Sequence, residues 1–346
     1  MKELYLILPE KPGNLLFKMI DSVVEKREYK IVKDKDNLPD LKDKLILFAV
    51  ELNEIGTSNN LNNIFIELNK KGKDSLQGSS GGVLVHSEFN HSTKTATQSI
   101  IYFANNLGCS FPGRPMVEAN KNLDNFISMT DVYNISLDEI CLNRCRELGQ
   151  RLLGELKRNN DKNLLVLHSS DRKTSNTLIL WDMVKENLKN ITIKEINLGK
   201  GTIRDCKGCS YTTCKHYGKQ NSCYYGGIVV EEVYPAVLEA SSLLILCPNY
   251  NDMLTANIIA TINRLTALFR KTKFYDKNMF SIIVSGNSGG DALARQLISA
   301  LNINKTFNLP PYFSLQATAN NTGAIKNVEN IYKKAREFAS IIEENV

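Results

Sequence analysis

The stretch Leu164-Leu165-Val166-Leu167-His168-Ser169-Ser170-Asp171-Arg172-Lys173-Thr174-Ser175-Asn176-Thr177 carries the decisive reading of this chain. Its opening apolar run is the signature of a strand covered on both faces, as in parallel sheets flanked by helices. The hydroxyl-rich loop that follows leads into a helical pattern. Backbone N–H groups and small polar side chains at a helix start make a cradle for a phosphate. Ser170, Ser175, Asn176 and Thr177 supply hydrogen-bonding groups to it, and Arg172 supplies charge. An ordinary Ser-capped helix start has the same local appearance, so the rest of the chain must arbitrate.

The same alternation continues to the C-terminus. Apolar runs at 191–198, 243–247, 280–285 and 312–316 read as further strands. Between them Leu254, Ile258, Ile262, Leu265 and Phe269 recur at three- and four-residue spacing, and so do Val328, Ile331, Ala335, Phe338 and Ile342. The expectation is an α/β domain with a doubly wound, five-stranded parallel sheet. Two more loops leave carboxyl ends of its strands, where open α/β sheets bind ligands. One is Pro248-Asn249-Tyr250-Asn251-Asp252-Met253; the other is Ser285-Gly286-Asn287-Ser288-Gly289-Gly290.

The first half repeats this plan. Apolar segments 45–50, 83–87 and 116–118 fall on the later strands after a shift of 198 positions. Ala49 to Ser87 spans 38 positions, as does Cys247 to Ser285. Asn53 and Asn59 recur as Asn251 and Asn257. The expectation is an internal duplication, with domains at 1–158 and 159–346. A closing helix is expected over 137–156, with a polar linker at 157–162. The first copy has PEKPGN where the second has its hydroxyl-rich loop, so it reads as degenerate.

The second copy also carries an insertion, at about 199–227, which holds Cys206-x2-Cys209-x4-Cys214-x8-Cys223, half of the chain's eight cysteines. Four clustered thiols suit an iron–sulfur cluster, a zinc site of four thiolates, or free thiols with a Cys206/Cys209 redox pair. Cys141 and Cys145 lie on an apolar helical face and read as core, as does Cys247. Trp181 reads as helix-to-sheet packing, and the four histidines sit in no nucleophile motif.

A formal charge of +6 spread over 346 residues, with lysines dispersed among glutamates, argues against nucleic-acid or membrane-surface binding. The N-terminal apolar run is too short for a signal peptide, and no run is long enough to span a bilayer. A reducing, cytoplasmic setting is expected, which favours metal or redox roles for clustered cysteines over structural disulfides.

At this point the residues resemble the flavodoxin-like NADPH-dependent FMN reductases and, among them, the iron–sulfur flavoprotein branch. That family's phosphate loop reads roughly Gly-Ser-Pro-Arg-x-x-Ser-Asn-Thr. Ser170, Arg172, Ser175, Asn176 and Thr177 match it, while Ser169 and Asp171 depart from it. Pro248 and Tyr250 match the family's Ser-Pro-x-Tyr loop, and Asn263-Arg264 stands where Asp-Arg is usual. The resemblance spans about residues 163–346. It implies two flavodoxin-like domains, FMN held by the three loops, NAD(P)H as electron donor and an unspecified electron acceptor. It also implies [4Fe–4S] on Cys206, Cys209, Cys214 and Cys223, although the second and third gaps, four and eight, exceed the branch's usual two and four to seven. No side chain is singled out as catalytic. Dimers are common in this family, so the first copy reads as an internal pseudo-partner, with further homodimerisation open. The competing expectation is a flavin-free, zinc-stapled scaffold.

Overall fold

The computed structural model describes residues 2–154, 161–171, 173–200 and 203–346. The chain divides into two units, Met1–Leu156 and Lys157–Val346. In the first, strands β1 (Leu4–Ile7), β2 (Lys30–Val32), β3 (Leu45–Leu52), β4 (Ser80–Ser87) and β5 (Met116–Asn120) alternate with helices α1 (Asn14–Val24), α2 (Asn59–Lys71) and α3 (Thr93–Asn106). Helices α4 (Ile127–Tyr133) and α5 (Leu137–Leu153) close it. The strand order is β2-β1-β3-β4-β5, all parallel. Leu16, Met19 and Val23 of α1 and Cys141, Cys145 and Leu148 of α5 cover one face with Leu47, Ala49 and Leu84. On the other face Phe48 stacks on Phe65 of α2 at 5.8 Å.

The second unit has β6 (Asn163–His168), α6 (Asn176–Lys185), β7 (Thr192–Asn197), α7 (Tyr211–Lys219), α8 (Tyr234–Glu239), β8 (Ser242–Pro248), α9 (Ala256–Phe269), β9 (Asn278–Ser285), α10 (Gly290–Leu297), β10 (Ser314–Thr318) and α11 (Ile331–Asn345). Its parallel sheet runs β10-β9-β8-β6-β7, the same order as in the first unit. Trp181 is fully buried among Leu164, Val166 and Val184 and donates to Glu195 Oε1 at 3.2 Å, so it serves packing. Val328 lies just before α11 rather than in it. Among the described residues, no helix is long and apolar enough to cross a membrane.

The duplication is visible in strand pairing, with one correction. Val83 pairs with Met116 and Ser281 with Ser314, so β4/β9 and β5/β10 correspond at an offset of 198. Leu45 pairs with Ser80, however, while Ser242 pairs with Asn278. β3 and β8 therefore correspond at 197, and Cys247 matches Val50 rather than Ala49. The extra residue lies between the start of α9 and β9, since α2 and α9 begin at Asn59 and Ala256, still 197 positions apart. A strand buried on both faces stays apolar after a one-residue slide, so its sequence hides the slip.

An exposed staple ties β1 to its neighbours: Glu3 accepts from Lys30 Nζ at 2.6 Å and Lys44 Nζ at 2.9 Å. These hydrogen bonds hold the Glu3 carboxyl down at about 2, against an ordinary value of 4.5. Because the folded value is depressed, its stabilisation is complete above pH 4.5 and is lost as pH falls toward 2. Thermal melts should therefore show a small advantage of wild type over Glu3→Gln that vanishes across this window. Added salt should shrink it, since the groups are solvated.

Candidate functional site

β6, β8 and β9 are adjacent and parallel, so the loops at 169–175, 249–255 and 286–289 emerge side by side at the sheet's carboxyl edge. In the first loop Ser175 caps α6, its Oγ accepting from Leu178 N at 3.2 Å. Asp171 turns its carboxylate to the Lys173 N–H at 2.9 Å. Ser169 Oγ lies 2.7 Å from Thr255 Oγ1, which joins this loop to the start of α9. Ser170, in the loop five residues before the Ser175 cap of α6, is buried and its Oγ has no partner among the described residues. Arg172 lies outside the described residues. Asn176 and Thr177 are both buried. The Asn176 amide donates to Ala319 O at 3.1 Å and Asn321 O at 2.8 Å, so it clamps the loop after β10.

Asn249 joins the other two loops. Its Nδ2 contacts Asp252 Oδ1 at 3.0 Å, Ser285 Oγ at 3.1 Å and Ser288 O at 2.8 Å, while its buried Oδ1 has no partner. Asn251 and Asp252 both adopt left-handed backbone, which turns the loop sharply and leaves Tyr250 and Met253 exposed. Gly289 has φ +86°, and a Cβ there would lie 1.7 Å from Asp252 Oδ1. Gly290 begins α10, and Gly286 and Asn287 sit beside the 318–320 segment, with Thr318 Oγ1 donating to Asn287 O at 3.4 Å. Gln296 holds the 252–254 backbone, accepting from Leu254 N at 3.3 Å and donating to Asp252 O at 2.8 Å. Gln296, Ser169 and Thr255 carry no local signal of this role, because only the fold brings them here. Ser170 Oγ, unpartnered among the described residues in the loop leading into α6, beside a carboxyl edge with glycines and exposed apolar side chains, fits a ligand joining a phosphate to a flat ring.

The thiol segment forms a second feature. Cys206, Cys209, Cys214 and Cys223 all line one cavity of about 160 Å³, walled by Tyr217, Tyr224 and Tyr225 and by α9. α7 lies close on α9: a Cβ at Gly218 would stand 2.2 Å from Ala267 O. Arg264 beneath the insertion is 3% exposed, donates Nη2 to Gly226 O at 2.6 Å, and leaves Nε unpartnered. Tyr234 donates to Arg264 O, and burial pushes its phenol above the ordinary value. His216 is exposed and Cys141, Cys145 and Cys247 are buried, as the sequence indicates. The four sulfurs share a cavity, yet among the described residues no three Cys, His, Asp or Glu side chains form a ligand set. The donor chemistry suits a soft metal, but the placement as it stands does not close a site.

Residues 163–320 match the NADPH-dependent FMN reductase family. No curated protein matches the chain. Among solved structures, the chain is similar to azoreductase AzrA, at 15% identity over 53% of this chain and 99% of that one, with TM-score 0.36. It is similar to NAD(P)H:quinone oxidoreductase from Methanothermobacter marburgensis, at 14% identity over 53% and 98%, with TM-score 0.42. A third is an FMN-dependent NADH-azoreductase from Bacillus anthracis in complex with FMN, at 14% identity over 51% and 98%, with TM-score 0.35.

Proposed function

From the match of residues 163–320 to the NADPH-dependent FMN reductase family, we propose that the second unit is an FMN-dependent NAD(P)H oxidoreductase. The observation that carries the reading is the buried Ser170 Oγ, partnerless among the described residues, in the loop that leads into α6, at the same sheet edge as the stapled 249–253 and 285–290 loops. Ser170 and the α6 N-terminus would hold the phosphate, with Arg172 adding charge. Ser175, Asn176 and Thr177 would shape that loop from behind. Pro248, Asn249, Tyr250, Asn251, Asp252 and Met253 would line one side of the ring. Ser285, Gly286, Asn287, Gly289 and Gly290 would line the other. When bound, FMN supplies hydride acceptance from a nicotinamide and onward electron transfer. The chain's part is to bind, orient and exclude water, with Asn249 keeping the two loops at a set separation.

The shared cavity of the four cysteines supports a finer reading, a soft metal centre held by Cys206, Cys209, Cys214 and Cys223. Iron–sulfur is the first choice and zinc the second. Arg264 is eight residues into α9 from its first residue, about 12 Å along the axis. Direct thiol exchange with a ring at the strand edge is therefore not part of the proposal. The first unit would act as an internal counterpart to the flavin-binding unit.

A visible spectrum with iron and zinc analysis on anaerobically purified chain tests both layers. Flavin bands that bleach on mixing with NADPH are expected, and iron absorption with about four irons per chain would add the cluster. Colourless protein with zinc would sink the reductase reading in favour of a stapled scaffold. FMN that NADPH does not reduce would leave a carrier.

A further inference from the structure

The carboxyl edge of the first unit is occupied by the chain itself. Glu51 and His86 are paired in register at the ends of β3 and β4, where the second unit pairs Pro248 with Val284. Glu51 Oε1 is hydrogen-bonded to His86 Nδ1, and Gly13 N donates to Glu51 Oε2 at 2.9 Å. Gly13 caps α1 with no side-chain partner, so this N–H belongs to the free donors of a helix start. In the second unit the corresponding helix start, that of α6, is where a phosphate is proposed. Here the chain's own carboxylate fills the place of the anion.

The surroundings reinforce this. Pro9 and Pro12 in the loop before α1 have no N–H to offer a ligand. Asn60 Nδ2 donates to Pro9 O at 3.2 Å and Ser58 donates to Glu10 Oε1 at 3.0 Å, pinning that loop. The Glu51 side chain is 19% exposed and that of His86 is 4% exposed, so the pair is largely screened from water.

We propose that Glu51 is a built-in anion occupying the first unit's phosphate position, which closes this unit to flavin and hides a latent anion site behind the carboxylate. The chain accordingly carries one flavin. That count rests on the FMN reading of the second unit; the latent site does not.

The test uses the full chain, saturated with FMN, and inorganic phosphate as the probe. Glu51→Ser removes the carboxylate and leaves space, so the melting temperature should fall by about 5 °C. About 50 mM phosphate should restore at least half of that loss, after subtracting its effect on wild type and that of chloride at equal ionic strength. Glu51→Gln keeps an acceptor and fills the space, so it should lose less and show no phosphate response beyond wild type. A Glu51→Ser loss that phosphate does not relieve, or no loss at all, would overturn the proposal. Two flavins per wild-type chain would overturn it as well. No flavin at all would refute the reductase reading, while the phosphate response would still decide the latent site in the apoprotein. Should Glu51→Ser not fold, the flavin count and the phosphate response of Glu51→Gln decide in its place, a response above wild type's counting against the proposal.

Discussion

Gly289→Ala should weaken FMN binding by about a hundredfold or more, read by quenching of flavin fluorescence on titration. The backbone at Gly289 is left-handed, which alone costs a side chain about 1 kcal/mol. The steric conflict is larger. A Cβ would lie 1.7 Å from Asp252 Oδ1 and 2.9 Å from Asn249 Nδ2. Asp252 must leave, taking its contact with Asn249, and crowding of the Asn249 amide displaces its contacts to Ser285 and Ser288, which join the two loops. Each such hydrogen bond contributes about 1 kcal/mol, so losing all three reaches the hundredfold range. Affinity within tenfold of wild type would mean that these loops do not form the flavin site.

Gly218→Leu should separate the thiol cavity from the flavin edge. The Ala267 carbonyl oxygen lies 2.2 Å from where a Cβ would stand, and backbone cannot yield as a flexible side chain can. α7 must therefore lift from α9, at a cost of about 1–3 kcal/mol. Alkylation of the half-buried Cys209, Cys214 and Cys223 by iodoacetamide in the metal-free chain should speed up about tenfold or more, while the already exposed Cys206 changes little. FMN affinity should stay within about threefold, because the flavin loops are held by Asn249 and Gln296 rather than by α7. Loss of flavin in step with thiol exposure would show that the two features are one site.

Much of this was legible along the chain. Near-continuous apolar runs in β6, β8 and β9 mark strands covered on both faces, and the helical spacing of Leu254 to Phe269 marks α9. The recurrence of strand intervals marks the repeat. The hidden one-residue slip between β3 and β8 was not legible, because Leu, Ile and Val in such strands look alike after a shift of one. That slip matters: without it Glu51 would be matched to Asn249 rather than to Pro248.

Side-chain partners were the least legible. Asn176 sits in a phosphate-loop motif yet gives its amide to carbonyls 143 and 145 positions away. Glu67 in α2 is half-buried, while Arg264, its counterpart in α9 at the offset of 197 between the two helix starts, is buried beneath the cysteine insertion. Burial differs there because only one copy carries a cover over that helix face.

The sequence by itself determined the α/β alternation, the repeated plan and the three loops at the carboxyl edge of the second sheet, since these rest on apolar periodicity and local loop chemistry. Tertiary structure alone decided that four spaced cysteines face one cavity, that Asn249 joins two loops, and that Glu51 reaches the start of α1. Those pairings join residues 36 to 39 positions apart or lie across separate elements, and such contacts are selected by strand register and helix docking, which no local pattern encodes.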